Sequence, residues 1–319
     1  KTALMWAMYS GHFATADVLL RAKANMDIYD ANALTPLLYA ASNGDSTAVQ
    51  MLLEAKANVN LGDDYQRTAL HMATRRNHPD IITLLLAARA DADAPDDRGR
   101  TALMLAVQTA ELDTIRLLLN AKAGVDCKDP DGITALIMAT RFGNEDMMRL
   151  LINARADVDA RTQNMRTALT YVGEYGDDHL IDILIQARAT PDVIARNETT
   201  ALMHLVLSQE VSCVRKLLSA KATVDFHGPS QETALMKAAQ IGHEGVVSAL
   251  LDANAAVNHQ NCGLKTPLMR AAERGNLDAV RVLLKAQASL DAVDNTGATA
   301  LMLAAGAGHT SVVELLRSE

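Results

Sequence analysis

Large side chains are scarce in this sequence. Only 3% of its 319 residues are aromatic: one Trp, six Tyr and three Phe. That shortage argues against a large β-sandwich, whose strands draw on aromatic and β-branched residues. Cysteine is almost as rare. Cys127, Cys213 and Cys262 are odd in number and far apart, which excludes a disulfide framework and points to the cytoplasm or another reducing intracellular compartment. No run of about 18 apolar residues is present, so direct membrane insertion is not expected, and no charged-then-apolar leader opens the chain. Positive charge is in deficit as well. Thirty Lys and Arg against 38 Asp and Glu leave a net charge of −8, so no overall field would recruit nucleic acid or an anionic membrane.

Catalytic signatures are missing too. There is no G-x-x-x-x-G-K-[ST], no G-x-S-x-G and no H-E-x-x-H, so neither a reaction, a cofactor nor a small-molecule substrate is expected. His227, His259 and Cys262 have ligand chemistry and an H-x-x-C spacing, but a fourth metal ligand is not evident.

What fills the chain is a repeated phrase. Thr-Ala-Leu or Thr-Pro-Leu begins at Thr2, Thr35, Thr68, Thr101, Thr134, Thr167, Thr200, Thr233, Thr266 and Thr299, always 33 residues apart. Ten units therefore cover residues 1–319 without an insertion. Counting slots from each Thr, slot 3 and slot 18 are Leu in all ten units, and slot 6 is Ala in eight, with Val172 and Leu205 as exceptions. Slot 10 is Gly in seven.

Each unit parses into two short helices. Thr at slot 1 is a good N-cap, and Pro36 and Pro267 follow it at the first helical position, where a missing N–H costs nothing. Gly or Asn at slot 10 ends the first helix, and apolar slots 14, 15, 17, 18 and 19 mark the second. The remainder, such as CKDPDGI at 127–133, is rich in Asp, Gly and Pro and predicts a turn.

The period, the T-[AP]-L opening, A-A-x-x-G-H at 238–243 and 304–309, and V-V-x-x-L-L resemble the ankyrin repeat over the whole chain. The resemblance implies an all-α solenoid of stacked helix-turn-helix units with short β-hairpin-like tips, one repeat domain spanning 1–319. It further implies that tips and first helices line a concave side. The first unit starts at Lys1 without a preceding tip, which reads as a fragment of a longer chain.

Two departures from the family stand out. Slot 4, usually His, keeps it only at His71 and is Met in six units. Slot 22, usually Gly, holds Lys23, Lys56, Arg89, Lys122, Arg155, Arg188, Lys221, Asn254 and Gln287. Cations there would interact favourably with the dipole of the second helix, by roughly 0.3 to 1 kcal/mol. Asp or Asn at slot 26 is expected to favour the following turn.

Function falls to the variable slots. On the first helix, slots 3, 6 and 7 share one face and slots 5, 8 and 9 point away from it. The aromatics collect there: Trp6, Tyr39 and Tyr171 at slot 5, Tyr9 at slot 8, Phe142 and Tyr175 at slot 9, with Tyr65 in a tip. Arginines follow: Arg67, Arg100 and Arg166 at slot 33, Arg98 at slot 31, and Arg75, Arg76 and Arg141 on first helices. Trp, Tyr and Arg dominate protein interfaces, so these fourteen residues form the expected partner-binding set. They suit an acidic or helical protein segment, with Asp63, Asp64, Asp96 and Asp97 close enough in sequence to neutralise part of the charge.

The function expected is therefore a non-catalytic scaffold or adaptor that binds one or more proteins, a large complex included. Two alternatives stay open: a regulatory or targeting segment of a larger enzyme or channel, and RNA or nucleotide binding through the Arg and aromatic slots of repeats 3–6. Units six and seven are the most degraded, with Gln209 in place of Gly and Lys216 at an apolar slot.

Overall fold

A computed structural model describes all residues, Lys1–Glu319. Each repeat contributes two antiparallel helices. The first helices are Ala3–Tyr9, Pro36–Asn43, Ala69–Arg75, Ala102–Thr109, Ala135–Arg141, Ala168–Tyr175, Ala201–Ser208, Ala234–Ile241, Pro267–Arg274 and Ala300–Gly306. The second helices are Phe13–Arg21, Ser46–Glu54, Pro79–Ala87, Leu112–Asn120, Glu145–Asn153, Asp178–Gln186, Val211–Ser219, Glu244–Asp252, Leu277–Lys285 and Thr310–Ser318. The tips contain no strand. Their closest approach to one is a single antiparallel bridge between Gly62 and Thr68.

The chain divides into two compact units, Lys1–Asp157 and Val158–Glu319. Within each, first helices pack on neighbouring first helices and second on second. Slot 3 explains why. From Leu4 to Leu268 that leucine is at most 2% exposed in every repeat, and a helix of seven or eight residues has no stability of its own. Burial against a neighbour supplies it.

Capping starts each first helix where expected. The side-chain oxygens of Thr35, Thr101, Thr134, Thr200, Thr233, Thr266 and Thr299 accept from the slot 4 backbone N–H. All ten slot 10 residues close the helix in the left-handed region, Asn77, Ala110 and Gln209 included. At Gly275 a second constraint applies, since an added Cβ would lie 2.4 Å from Nδ1 of His309 in the next repeat. Gly at slot 10 and His at slot 11 are thus matched across a repeat boundary.

Slot 22 takes the backbone conformation for which glycine is the usual residue. All nine residues there have positive φ, between 59° and 67°. In every case the slot 22 N–H and the slot 23 N–H close a Schellman motif. For Lys56 these are Lys56 N to Leu53 O at 3.0 Å and Ala57 N to Leu52 O at 2.9 Å. The side chain therefore sits where glycine is the relaxed choice, and the residue type is a local cost to folding. An L-residue in this conformation loses about 1–2 kcal/mol.

Slot 26 is corrected outright. Instead of serving its own turn, its carboxylate or amide oxygen accepts from the slot 24 backbone N–H of the next repeat. In Lys1–Asp157 these bonds run from Asn58 to Asp27, Asp91 to Asn60, Gly124 to Asp93 and Asp157 to Asp126, at 2.6–3.0 Å. In Val158–Glu319 they run from Thr190 to Asp159, Thr223 to Asp192, Ala256 to Asp225 and Ser289 to Asn258. The column is a ladder between repeats.

Lys216, the charge at an apolar slot, has partners that account for it. Its Nζ reaches Asp178 Oδ2 at 2.5 Å and Asp182 Oδ2 at 2.6 Å on the second helix of the preceding repeat.

Replacing Lys56 or Arg89 by Gly removes the left-handed penalty but adds freedom to the unfolded chain, worth roughly 0.5–1 kcal/mol. The expected net result is a gain of about 0.5–1 kcal/mol per site in urea unfolding. Asn254→Gly should gain less, because Asn tolerates the conformation; equal gains at all three would contradict the assignment.

Candidate partner-binding site

A cleft of about 650 Å³ in the Lys1–Asp157 unit is lined by the second and third tips and the first helices of repeats three and four. Five of the sequence-selected residues converge there: Tyr65, Arg67, Arg75, Arg98 and Arg100. Stacking brings them together, since they come from slots 31 and 33 of two tips and slot 8 of a helix.

The tips are built from a buried aspartate at slot 29. Asp63 Oδ1 accepts from the backbone N–H of Tyr65 and of Arg67, at 3.0 and 2.9 Å, and its Oδ2 accepts from Arg67 Nε and Nη2 at 2.8 and 2.5 Å. Asp96 repeats the pattern with Arg98 and Arg100, its Oδ2 holding Arg100 Nε at 3.0 Å and Nη2 at 2.7 Å. Burial pushes the Asp96 carboxyl up, but the hydrogen bonds and charge of Arg100 prevail and hold it below the usual carboxylate range.

Arg67 and Arg100 are therefore wall material with their charge cancelled. Arg67 also stacks on Tyr65, 4.8 Å from the ring centre, and Arg100 donates to Gln108 Oε1 at 3.2 Å. Arg75 and Arg98 keep exposed guanidinium groups at the rim. With Asp97 also lining the cleft, four arginines face three aspartates and a single positive charge remains.

The floor went unselected in the sequence reading. Met72 and Leu105 are 8% and 5% exposed, although both occupy slot 5, expected to point outward. They line the cleft together with tip residues Tyr65, Arg67, Asp97, Arg98 and Arg100. Gln108 and Thr109 complete the lining from slots 8 and 9. The slot pattern already marked all four; only the restriction to aromatics and arginines passed over them.

The other selected residues sit apart from the cleft. Arg76, Arg141 and Phe142 are exposed at the ends of first helices in the same unit. Trp6, Tyr9 and Tyr39 group around Lys1 in repeats one and two. Arg166, Tyr171 and Tyr175 belong to the Val158–Glu319 unit. There the Arg166 guanidinium lies 4.2 Å from the centre of the Tyr171 ring and pairs with Glu174, while Tyr175 is exposed. Its own charge is thereby answered. The rings of His227 and His259 lie 5.1 Å apart, but His259 Nε2 donates to the Gln231 carbonyl and the Cys262 thiol to that of Pro229.

His71 lies beneath the cleft and ties the first helix of repeat three to that repeat's own tip. Its Nδ1 accepts from the Thr68 backbone N–H at 3.1 Å, and its Nε2 meets the Arg100 carbonyl at 3.1 Å. A backbone N–H can only donate and a carbonyl only accept, so the neutral Nε2–H tautomer is required. Burial lowers its pKa from the ordinary 6.5, against the raising effect of the Arg100 carbonyl. Burial lowers that of His204 in the other unit as well.

Comparison with known families matches the chain to ankyrin repeats (3 copies) in overlapping stretches at 4–96, 56–131, 73–162, 103–195, 165–261 and 235–319. Among solved structures it is similar to the ankyrin repeat domain of Bcl-3, described as a unique member of the IkappaB protein family. The TM-score is 0.61 at 28% identity, covering 64% of this chain and 93% of that one. A search of curated proteins found no match.

A depressed histidine pKa means that the unfolded chain takes up the proton first. The stability contribution is complete above pH 6.5 and is lost as pH falls below that value. Thermal unfolding should show Tm dropping between about pH 7 and about pH 5.5, and His71→Met, the residue used at slot 4 in six repeats, should flatten part of that slope. An unchanged slope would remove His71 from the account.

Proposed function

The chain belongs to the ankyrin-repeat family, and on that premise we propose that it is a non-catalytic scaffold binding a protein partner through its tips and first helices. Ankyrin repeats are in general protein-protein interaction modules. The observation that carries the reading here is the cleft of repeats two to four, with Met72 and Leu105 as floor, neutralised Arg67 and Arg100 as walls and Arg75 and Arg98 at the rim.

Such a site suits an extended or helical segment that places one apolar side chain on the floor and a carboxylate against the rim. The apolar anchor supplies affinity by burial, and the exposed arginines steer approach and set register. A repeat array has no obligatory single pocket, so other repeats can hold further parts of the same partner. Nucleic acid is disfavoured by the −8 net charge and by the internal pairing of Arg67, Arg100 and Arg166. The three cysteines are free thiols, which supports placement in the cytoplasm or another reducing compartment.

A comparative pull-down tests this. The partner recovered by the wild type should be lost from Arg75→Glu/Arg98→Glu, with affinity reduced about tenfold or more, and retained by Lys56→Glu/Lys122→Glu. Recovery that survives in the first variant at moderate salt would sink the cleft as the docking site.

A further inference from the structure

Leucine at slot 8 of repeat seven breaks the pattern of its column. Slot 8 holds Tyr, Ser, Arg, Gln, Glu or Gly in the other repeats, and the exception, Leu207, is 54% exposed. Within the Val158–Glu319 unit, Leu207 and Ile241 line a groove of about 360 Å³ together with Lys237, Gln240 and Arg274. These residues lie on the first helices of repeats seven, eight and nine. The first helices of repeats six and ten pack on either side of them.

Charge on this face is one-sided. The first helices of the unit carry two carboxylates, Glu174 and Glu273. Glu174 pairs with Arg166 and Glu273 with Lys265, while Glu232 in the tip of repeat seven pairs with Arg270. Lys237 and Arg274 have no carboxylate within ion-pair reach, so two unanswered cations border two aliphatic side chains. An extended strand laid here would hold backbone N–H and C=O groups against Leu207 and Ile241, which offer them no partner. A helix satisfies its own backbone, and it sets an apolar and an acidic residue side by side when they are three or four positions apart.

We propose that this groove docks an acidic amphipathic helix of a protein partner, with an aliphatic side chain against Leu207 and Ile241 and a carboxylate against Lys237 and Arg274. The proposal rests on the reading of the chain as a protein-binding scaffold but not on the Arg75/Arg98 cleft, which belongs to the other unit and fails or stands by its own variant. His204, on the first helix of repeat seven, supplies a reporter. Burial lowers its pKa, Glu174 raises it, and Arg166 and Lys237 lower it. A carboxylate bound against Lys237 offsets that charge and moves the His204 pKa upward.

A library of random hexadecapeptides is depleted on Lys237→Glu/Arg274→Glu and then selected on the wild-type full chain. Enriched peptides should pair an aliphatic residue with Asp or Glu three or four positions away. Their synthetic copies should bind Leu207→Gln and Lys237→Gln/Arg274→Gln at least about tenfold more weakly than the wild type, and Lys237→Arg and Arg75→Glu/Arg98→Glu within about threefold of it. Leu207 and Arg274 are exposed, so urea unfolding of the Gln variants should match the wild type. By NMR the His204 titration midpoint should rise in the complex and stay in place with a peptide carrying Gln for its acidic residue. No enrichment, enriched peptides without acidic residues, undiminished binding in the Gln variants or a stationary His204 midpoint would overturn the proposal. Binding lost instead in Arg75→Glu/Arg98→Glu would assign the peptides to the cleft, overturning the groove and leaving the scaffold reading intact.

Discussion

Everything in this chain depends on apolar surface that each repeat can hide only against its neighbour. Met at slot 4 shows it within one molecule. Met5, Met104, Met203, Met236 and Met269 are at most 2% exposed, whereas Met302, with no following repeat stacked on it, is 60% exposed. The residue and its helix position are the same. Only the neighbour differs, and covering a methionine is worth about 1.5–3 kcal/mol. Stability is thus shared between adjacent modules, and interactions across the same boundaries set their register: the slot 26 ladder and the fit of His309 against Gly275.

The same constraint frees the outward slots. Once Leu, Ala and Met at slots 3, 4 and 6 secure the stack, slots 8, 9 and 30–33 carry no obligation to the core. Even so, the tips are far from slack. A single carboxylate at Asp63 or Asp96 accepts from two backbone N–H groups and from an arginine side chain, so the arginines that look most available in the sequence are the ones already engaged. Charge counted along the chain overstates the charge presented by the surface.

Strain and compensation are distributed unevenly over the repeats. Nine side chains at slot 22 hold a left-handed backbone without glycine, and each Schellman motif keeps the second helix ended in the same place. In repeats six and seven, Lys216 recovers two carboxylate contacts where an apolar residue is missing. These two departures from the repeat consensus are met by a tolerated backbone cost and by a specific local contact.

Periodicity made the fold legible. Thr at slot 1, Leu at slots 3 and 18 and the turn-forming residues around slot 10 act through contacts a few residues away, so the 33-residue spacing alone determined the helix pairs, their caps and the all-α repeat class. The fourteen candidate binding residues were legible as outward slots for the same reason. Tertiary structure alone decided which of them meet. Tyr65, Arg67, Arg75, Arg98 and Arg100 share a cleft with Met72 and Leu105, and Trp6, Tyr9 and Tyr39 share a cation. Those relations run across repeat boundaries, some 30 residues along the chain but a few ångströms through space, and no local pattern encodes which oxygen or ring will be nearest there.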